Sequence, residues 1–263
     1  WRYAHSSKGI HEGEPEYEGR ILSDPAFLVS APCPGNCRPD APGVGTSGTV
    51  RQTVMLQPQP VAGGPNGRTH WATQIFTVAN PDHATIKPGL VEHCYALEQS
   101  GDQASTVAPG AKGNMFESRF NFFHHPREEV RRLRDFCLAS IHKVGATMNA
   151  GLWEPEARVQ VQAVESWCHI TRSGGYHDSH AHPMCSWCGI YYLDPGEANA
   201  ASRNGVNRFY EPRGNVNAYS DYATRYLNAE GSIDMASVEG TLVIFPSFLR
   251  HAALPFKGSV TAS

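Results

Sequence analysis

The sequence predicts a mainly β protein, a sandwich or jelly roll with supporting helices packed outside it. Three features carry that expectation. From about residue 157 the apolar residues recur every second position. Short strand-like runs then follow one another with turn residues between them. Ahead of them lies one strongly periodic helical segment.

Residues 1–69 hold little periodicity and much Pro and Gly ("APCPGNCRPDAPGVG", "QPQPVAGGPNG"), and read as an irregular arm or lid. Cys33 and Cys37 read as incidental thiols in a turn, because no matching ligand pair follows them. Residues 70–263 form the main domain, with a helical scaffold at about 88–150 and a β core at about 157–263. "WATQIFTVAN" reads as a strand, and "PGLVEHCYALEQSG" as a helix closed by Gly101. In "PREEVRRLRDFCLASIHKVGATMNAG", Pro126 and the acids Glu128 and Glu129 suit a helix start. Val130, Leu133, Cys137, Ile141, Val144 and Met148 make one buried stripe, and Gly151 follows the end. "RVQVQAVESWCHI" alternates, with Val159, Val161 and Ala163 on one face. "SWCGIYYL", "NRFYEP", "GTLVIFP" and "HAALPF" read as further short strands.

Composition excludes several function classes. Charged residues make up 18% and the formal net charge is −3, so no basic surface for nucleic acid is expected. No apolar run approaches the roughly 18 residues that cross a bilayer, and no signal-peptide pattern opens the sequence, which begins at Trp1. Seven scattered cysteines fit a reducing cytoplasm better than a disulfide framework. Nothing in the sequence sets the oligomeric state.

The chemistry concentrates in "GGYHDSHAHPMCSWCGIYYLD" (174–194) and "EGTLVIFPSFLRHAALP" (239–255). His180 and His182 are two apart, so on a strand both imidazoles share a face. His251 follows a later strand, and a jelly roll can lay two distant strands side by side. Three neutral imidazoles on one face of an octahedron leave three positions open, which suits non-haem iron(II). Asp178 offers a carboxylate as an alternative third ligand. His124, His125 and His177, taken singly, read as solvated loop residues. Cys185 and Cys188 form a C-x-x-C, but three apart on a strand they are expected to face opposite sides, which disfavours zinc.

"HAHPMCSWCGIYYLDPG", "NRFYEPRG" and "EGTLVIFPSFLRHAALP" resemble the core of the Fe(II)/2-oxoglutarate-dependent dioxygenases. They are most similar to a branch with H-x-H-P, S-G-x-Y-Y and F-P-S-x-L-x-H runs, and more distantly to prolyl hydroxylases. The resemblance implies a double-stranded β-helix that takes Fe(II), 2-oxoglutarate and O2. It would oxidise an unactivated C–H bond of a small-molecule or amino-acid-like substrate, releasing succinate and CO2. It places His180 and His251 as iron ligands, with His182 where most relatives have Asp or Glu. It also implies that Tyr192 bonds the distal carboxylate of 2-oxoglutarate, and that an Arg a dozen or so residues past His251 clamps that carboxylate. No Arg lies between His251 and Ser263, which leaves Arg208, Arg213 and Arg250 as the available cations. Trp187, Tyr219, Tyr222 and Arg225 are expected in the walls of the substrate pocket.

Two other readings remain open on the sequence. One is a three-histidine cupin-type dioxygenase that uses no 2-oxoglutarate. G-x5-H-x-H from Gly174 and G-x5-P from Gly240 fit its spacing, but Ser186 and Trp187 stand where its Glu belongs, and Phe248 replaces a Gly. The other is a non-catalytic jelly-roll binding protein with incidental histidines.

Overall fold

The computed structural model describes residues 72–104, 113–154, 158–213 and 231–258, and the backbone of 20–23 and 29–30. Cys33, Cys37, Tyr219, Tyr222 and Arg225 lie outside the described residues. The strands are β1 (Arg20–Ser23), β2 (Val29–Ser30), β3 (Phe76–Ala79), β4 (Met115–Glu117), β5 (Gln162–Ala163) and β6 (His169–Thr171). They continue as β7 (His177–His180), β8 (Trp187–Asp194), β9 (Asn207–Tyr210), β10 (Ser232–Met235), β11 (Thr241–Pro246) and β12 (His251–Ala253). The helices are α1 (His83–Ser100) and α2 (Glu128–Met148).

All ladders are antiparallel. The large sheet runs β3-β11-β8-β1-β6-β4, with β2 pairing to β5 and β8; the small sheet runs β10-β9-β12-β7. The fold is the mainly β jelly roll expected, a double-stranded β-helix with helices outside. The segment read as an arm supplies two strands: β1 lies between β8 and β6, and β2 pairs with β5 and β8.

Period-two alternation on β8 builds the layers. Tyr191 and Leu193, with Leu242 and Ile244 of β11, face Ile86, Leu90 and Cys94 of α1 and Leu133, Cys137 and Ile141 of α2. The intervening residues Cys188, Ile190, Tyr192, Val243 and Phe245 pack on Phe209 and Leu249, between the two sheets. With both faces covered, the central strands read as continuous apolar runs, and each fully buried Leu or Ile contributes about 1.5–3 kcal/mol.

The end of α1 follows the sequence, but its start does not: the helix begins at His83, ahead of the expected Pro88, which lies inside it. Gly101 sits in the left-handed region at φ 72°, and its N–H donates to the Glu98 and Leu97 carbonyls, closing α1. The α2 stripe is buried from Val130 to Val144, but Met148, the last residue of the helix, is 37% exposed. "RVQVQAVESWCHI" is not one strand. Val159, Val161 and Ala163 do alternate with exposed neighbours, yet only 162–163 and 169–171 join ladders. Ser166 interrupts them: its Oγ accepts from the Phe123 N–H and its carbonyl from the Phe122 N–H, which diverts the chain before β6.

Candidate metal centre

The small sheet brings the distant histidines together. β12 lies between β7 and β9, and His251 is the register partner of both His180 and Phe209. His182, two residues past the end of β7, is held from the other sheet: its backbone N–H donates to the Ser247 carbonyl just beyond β11. Ser247 Oγ donates to the Cys185 carbonyl at 2.6 Å, fixing the turn between His182 and β8. The result is that one ligand nitrogen from each of His180, His182 and His251 lies within 4.8 Å of the other two.

Their tautomers are set by the backbone. Nδ1 of His180 bonds the Asp178 carbonyl at 2.7 Å, and Nδ1 of His251 bonds the Leu249 carbonyl at 3.0 Å. A carbonyl only accepts, so each Nδ1 carries a proton, which leaves Nε2 as the nitrogen that can meet a metal. Burial, followed by the nearby His251 and His177, pushes the His180 imidazole down to about 2, so it is neutral at physiological pH. His251 is buried against Phe245 and Phe209, at ring separations of 4.8 and 5.9 Å. A set of neutral nitrogen donors beside a small cavity fits a divalent first-row ion.

The cavity is lined by Trp167, His169, His177, the three histidines, Gly189, Ile190, Asn207, Phe245 and Ala253. Neither Arg nor Lys is among them. Arg208 alternates away from Asn207 on β9 and makes a bidentate pair with Asp234, at 2.7 and 2.8 Å. Arg250 is exposed and bonds Ser179. Arg213 pairs with Glu211. Tyr192 is fully buried between the sheets, and its hydroxyl donates to Asn207 Oδ1 at 3.0 Å. Its link to the cavity therefore runs through Asn207. Trp187 lies on the opposite face of β8, against Phe76, with ring centroids 6.1 Å apart. It is absent from the cavity lining.

Two further sequence expectations need correction. The side chain of Asp178 is exposed and outside the ligand set; the residue contributes its carbonyl instead. Cys185 and Cys188 do not point apart, since their sulfurs are 3.9 Å from each other. Cys185 precedes β8, so strand alternation does not apply to it. Among the described residues the two sulfurs join no metal-ligand group.

The sequence reading missed Glu117, Trp167, His169 and Asn207. It also read His177 as a solvated loop residue, whereas its ring is 4.1 Å from that of His180. Periodicity had no means of finding Glu117, which lies on the edge strand β4 and reaches the site only by pairing through β6.

Comparison with known proteins bears on this geometry. Residues 165–262 match the family described as "Putative 2OG-Fe(II) oxygenase", a span that contains β6 to β12 and all three histidines. A prolyl-4-hydroxylase from Pseudomonas putida is 19% identical, with a TM-score of 0.41, covering 70% of this chain and 86% of the other. A prolyl hydroxylase from Trichoplax adhaerens, solved with a hypoxia inducible factor peptide fragment, is 13% identical with a TM-score of 0.42. That match covers 69% of this chain and 77% of the other. No curated protein matches the sequence. No helix among the described residues is long and apolar enough to cross a membrane.

Proposed function

We propose that this chain, whose residues 165–262 match the family described as "Putative 2OG-Fe(II) oxygenase", is a 2-oxoglutarate–iron(II) oxygenase that hydroxylates or similarly oxidises an unactivated C–H bond of a small-molecule or amino-acid-like substrate. His180, His182 and His251 would hold the iron. The observation that carries the reading is the convergence of three imidazoles beside one cavity, two of them with Nδ1 committed to backbone carbonyls. Bound iron(II) would supply the coupling of O2 reduction to decarboxylation of 2-oxoglutarate, giving succinate, CO2 and oxidised substrate.

The chain's own residues provide the rest. The carbonyls of Asp178 and Leu249 orient the ligand rings, while Phe209, Phe245 and Ile190 exclude water from the inner wall. Trp167 Nε1 is buried without a hydrogen-bond partner among the described residues. A ligand oxygen in the cavity would satisfy it, which makes Trp167 the best-placed donor to cosubstrate or substrate. Asn207, braced by Tyr192, orients a second polar group. Arg208 and Arg250 are not proposed as the carboxylate clamp, because both face away and are engaged elsewhere.

The test is succinate formation from 2-oxoglutarate by anaerobically iron-loaded protein on admission of air. Wild type should produce succinate, and His180→Ala and His251→Ala should not. The cupin-type reading draws on the absence of Arg and Lys from the described residues that line the cavity. It predicts oxygen uptake that neither needs nor consumes 2-oxoglutarate.

A further inference from the structure

A second group of side chains with ligating atoms adjoins the cavity, of which His169 and His177 line it. Glu117 on β4 and His169 on β6 are 3% exposed each, and His169 Nε2 lies 2.7 Å from Glu117 Oε2. His177 on β7 places its Nε2 3.6 Å from the same oxygen. That separation is too long for a hydrogen bond. The Nδ1 of His177 donates to the Asp178 carbonyl at 3.1 Å, which turns Nε2 toward Glu117.

We infer that Glu117, His169 and His177 form a second metal site, for a divalent first-row transition ion, adjoining the three-histidine centre. All three ligand atoms lie within 4.8 Å of one another. Metal–ligand bonds of roughly 2.1 Å separate neighbouring ligand atoms by about 3.0–3.4 Å, and the observed 2.7 and 3.6 Å bracket that spacing. Two imidazoles and one carboxylate are also a donor set that catalytic zinc and non-haem iron(II) both use, with positions left open.

Charge gives a further reason. Three neutral imidazoles leave a dication uncompensated, and no Arg or Lys is among the described residues that line the cavity. A second dication next to it would be strongly repelled without a local anion, and Glu117 provides one. His177 and His180, one from each group, are in ring contact at 4.1 Å and both bond the Asp178 carbonyl, so the two sites share a wall. A buried Glu–His hydrogen bond alone would explain 117 and 169. The second site adds His177, whose Nε2 faces the same carboxylate oxygen at 3.6 Å.

The site is tested by equilibrium dialysis against cobalt(II) with elemental analysis and visible absorption of the bound ion. Wild type should take close to two cobalt ions per chain. Glu117→Gln and His169→Ala should take one, and so should His251→Ala, with different absorption spectra for the ion each group of variants retains. A single equivalent in wild type that Glu117→Gln retains, or two in Glu117→Gln, would overturn the second site. Loss of one ion in Glu117→Gln but none in His251→Ala would instead count against the three-histidine centre, so the two claims fail separately. Circular dichroism of the metal-free variants excludes unfolding as the cause. The conservative Glu117→Asp variant should restore binding at least tenfold over Glu117→Gln.

Discussion

Replacing Tyr192 by Phe removes one oxygen atom from the densest part of the inter-sheet layer. The hydroxyl donates at 3.0 Å to Asn207 Oδ1, and the two residues are 0% and 1% exposed. Phe fills the same ring volume, so no large cavity forms and the cost is polar. A buried acceptor that loses its donor costs about 1–3 kcal/mol. In a chain of this size about 1 kcal/mol lowers Tm by roughly 2–4 °C, so a drop of about 2–12 °C is expected. Calorimetry on metal-free protein measures it without interference from ligand stabilisation. The double variant Tyr192→Phe/Asn207→Leu, which removes both polar partners, should recover a large part of the loss, giving a coupling of about 1 kcal/mol or more. A Tm for Tyr192→Phe within 1 °C of wild type, or strictly additive losses in the double variant, would refute the assignment of this hydroxyl as the brace of Asn207.

Three other outcomes follow from the same structure. Gly175 precedes β7, and a Cβ there would lie 2.6 Å from the Asn114 carbonyl oxygen and 2.7 Å from Thr171 Cγ2. Gly175→Ala should therefore destabilise by about 1–3 kcal/mol and weaken metal binding, measured by denaturation and metal titration. Arg208 holds the Asp234 carboxyl below its ordinary 3.8, chiefly through their hydrogen bonds. A depressed carboxylate stabilises the fold above its unfolded value and ceases to do so as pH falls through the folded one. Asp234→Asn should thus be about 1–2 kcal/mol less stable than wild type at neutral pH, with the gap closing below about pH 3.8, as read by urea titrations across pH. Leu133 is fully buried between α2 and the large sheet, and Leu133→Ala should cost about 2–5 kcal/mol by chemical denaturation.

Period-two and period-3.6 patterns made most of the elements legible: β3, β8, β9, β11, β12 and α2 lie where hydrophobic spacing puts them, while α1 starts ahead of Pro88, where the expected helix begins. β7 was legible as chemistry rather than as a strand, because "HDSH" is polar and is paired through the backbone by β12. The histidines on either side of β8 and β11 could be placed together because a jelly roll juxtaposes those ends. The second group could not, since Glu117, His169 and His177 are contributed by an edge strand, a short strand and a bulged one. Which way Arg208 and Tyr192 point depends on β9 and β8 registers that no local pattern encodes. Trp187 and Cys185 illustrate the same limit: one lies on the far face of β8, and the other lies just before the strand whose alternation was applied to it.

The account turns on a single iron bound by histidines from the β7 end and from β12. X-ray absorption of the Glu117→Gln variant, loaded anaerobically with one equivalent of iron(II), tests it most directly. The predicted spectrum contains scattering from three imidazoles, falling to two in Glu117→Gln/His251→Ala with weakened iron retention. A spectrum with one imidazole or none, or one left unchanged by removing His251, would contradict it.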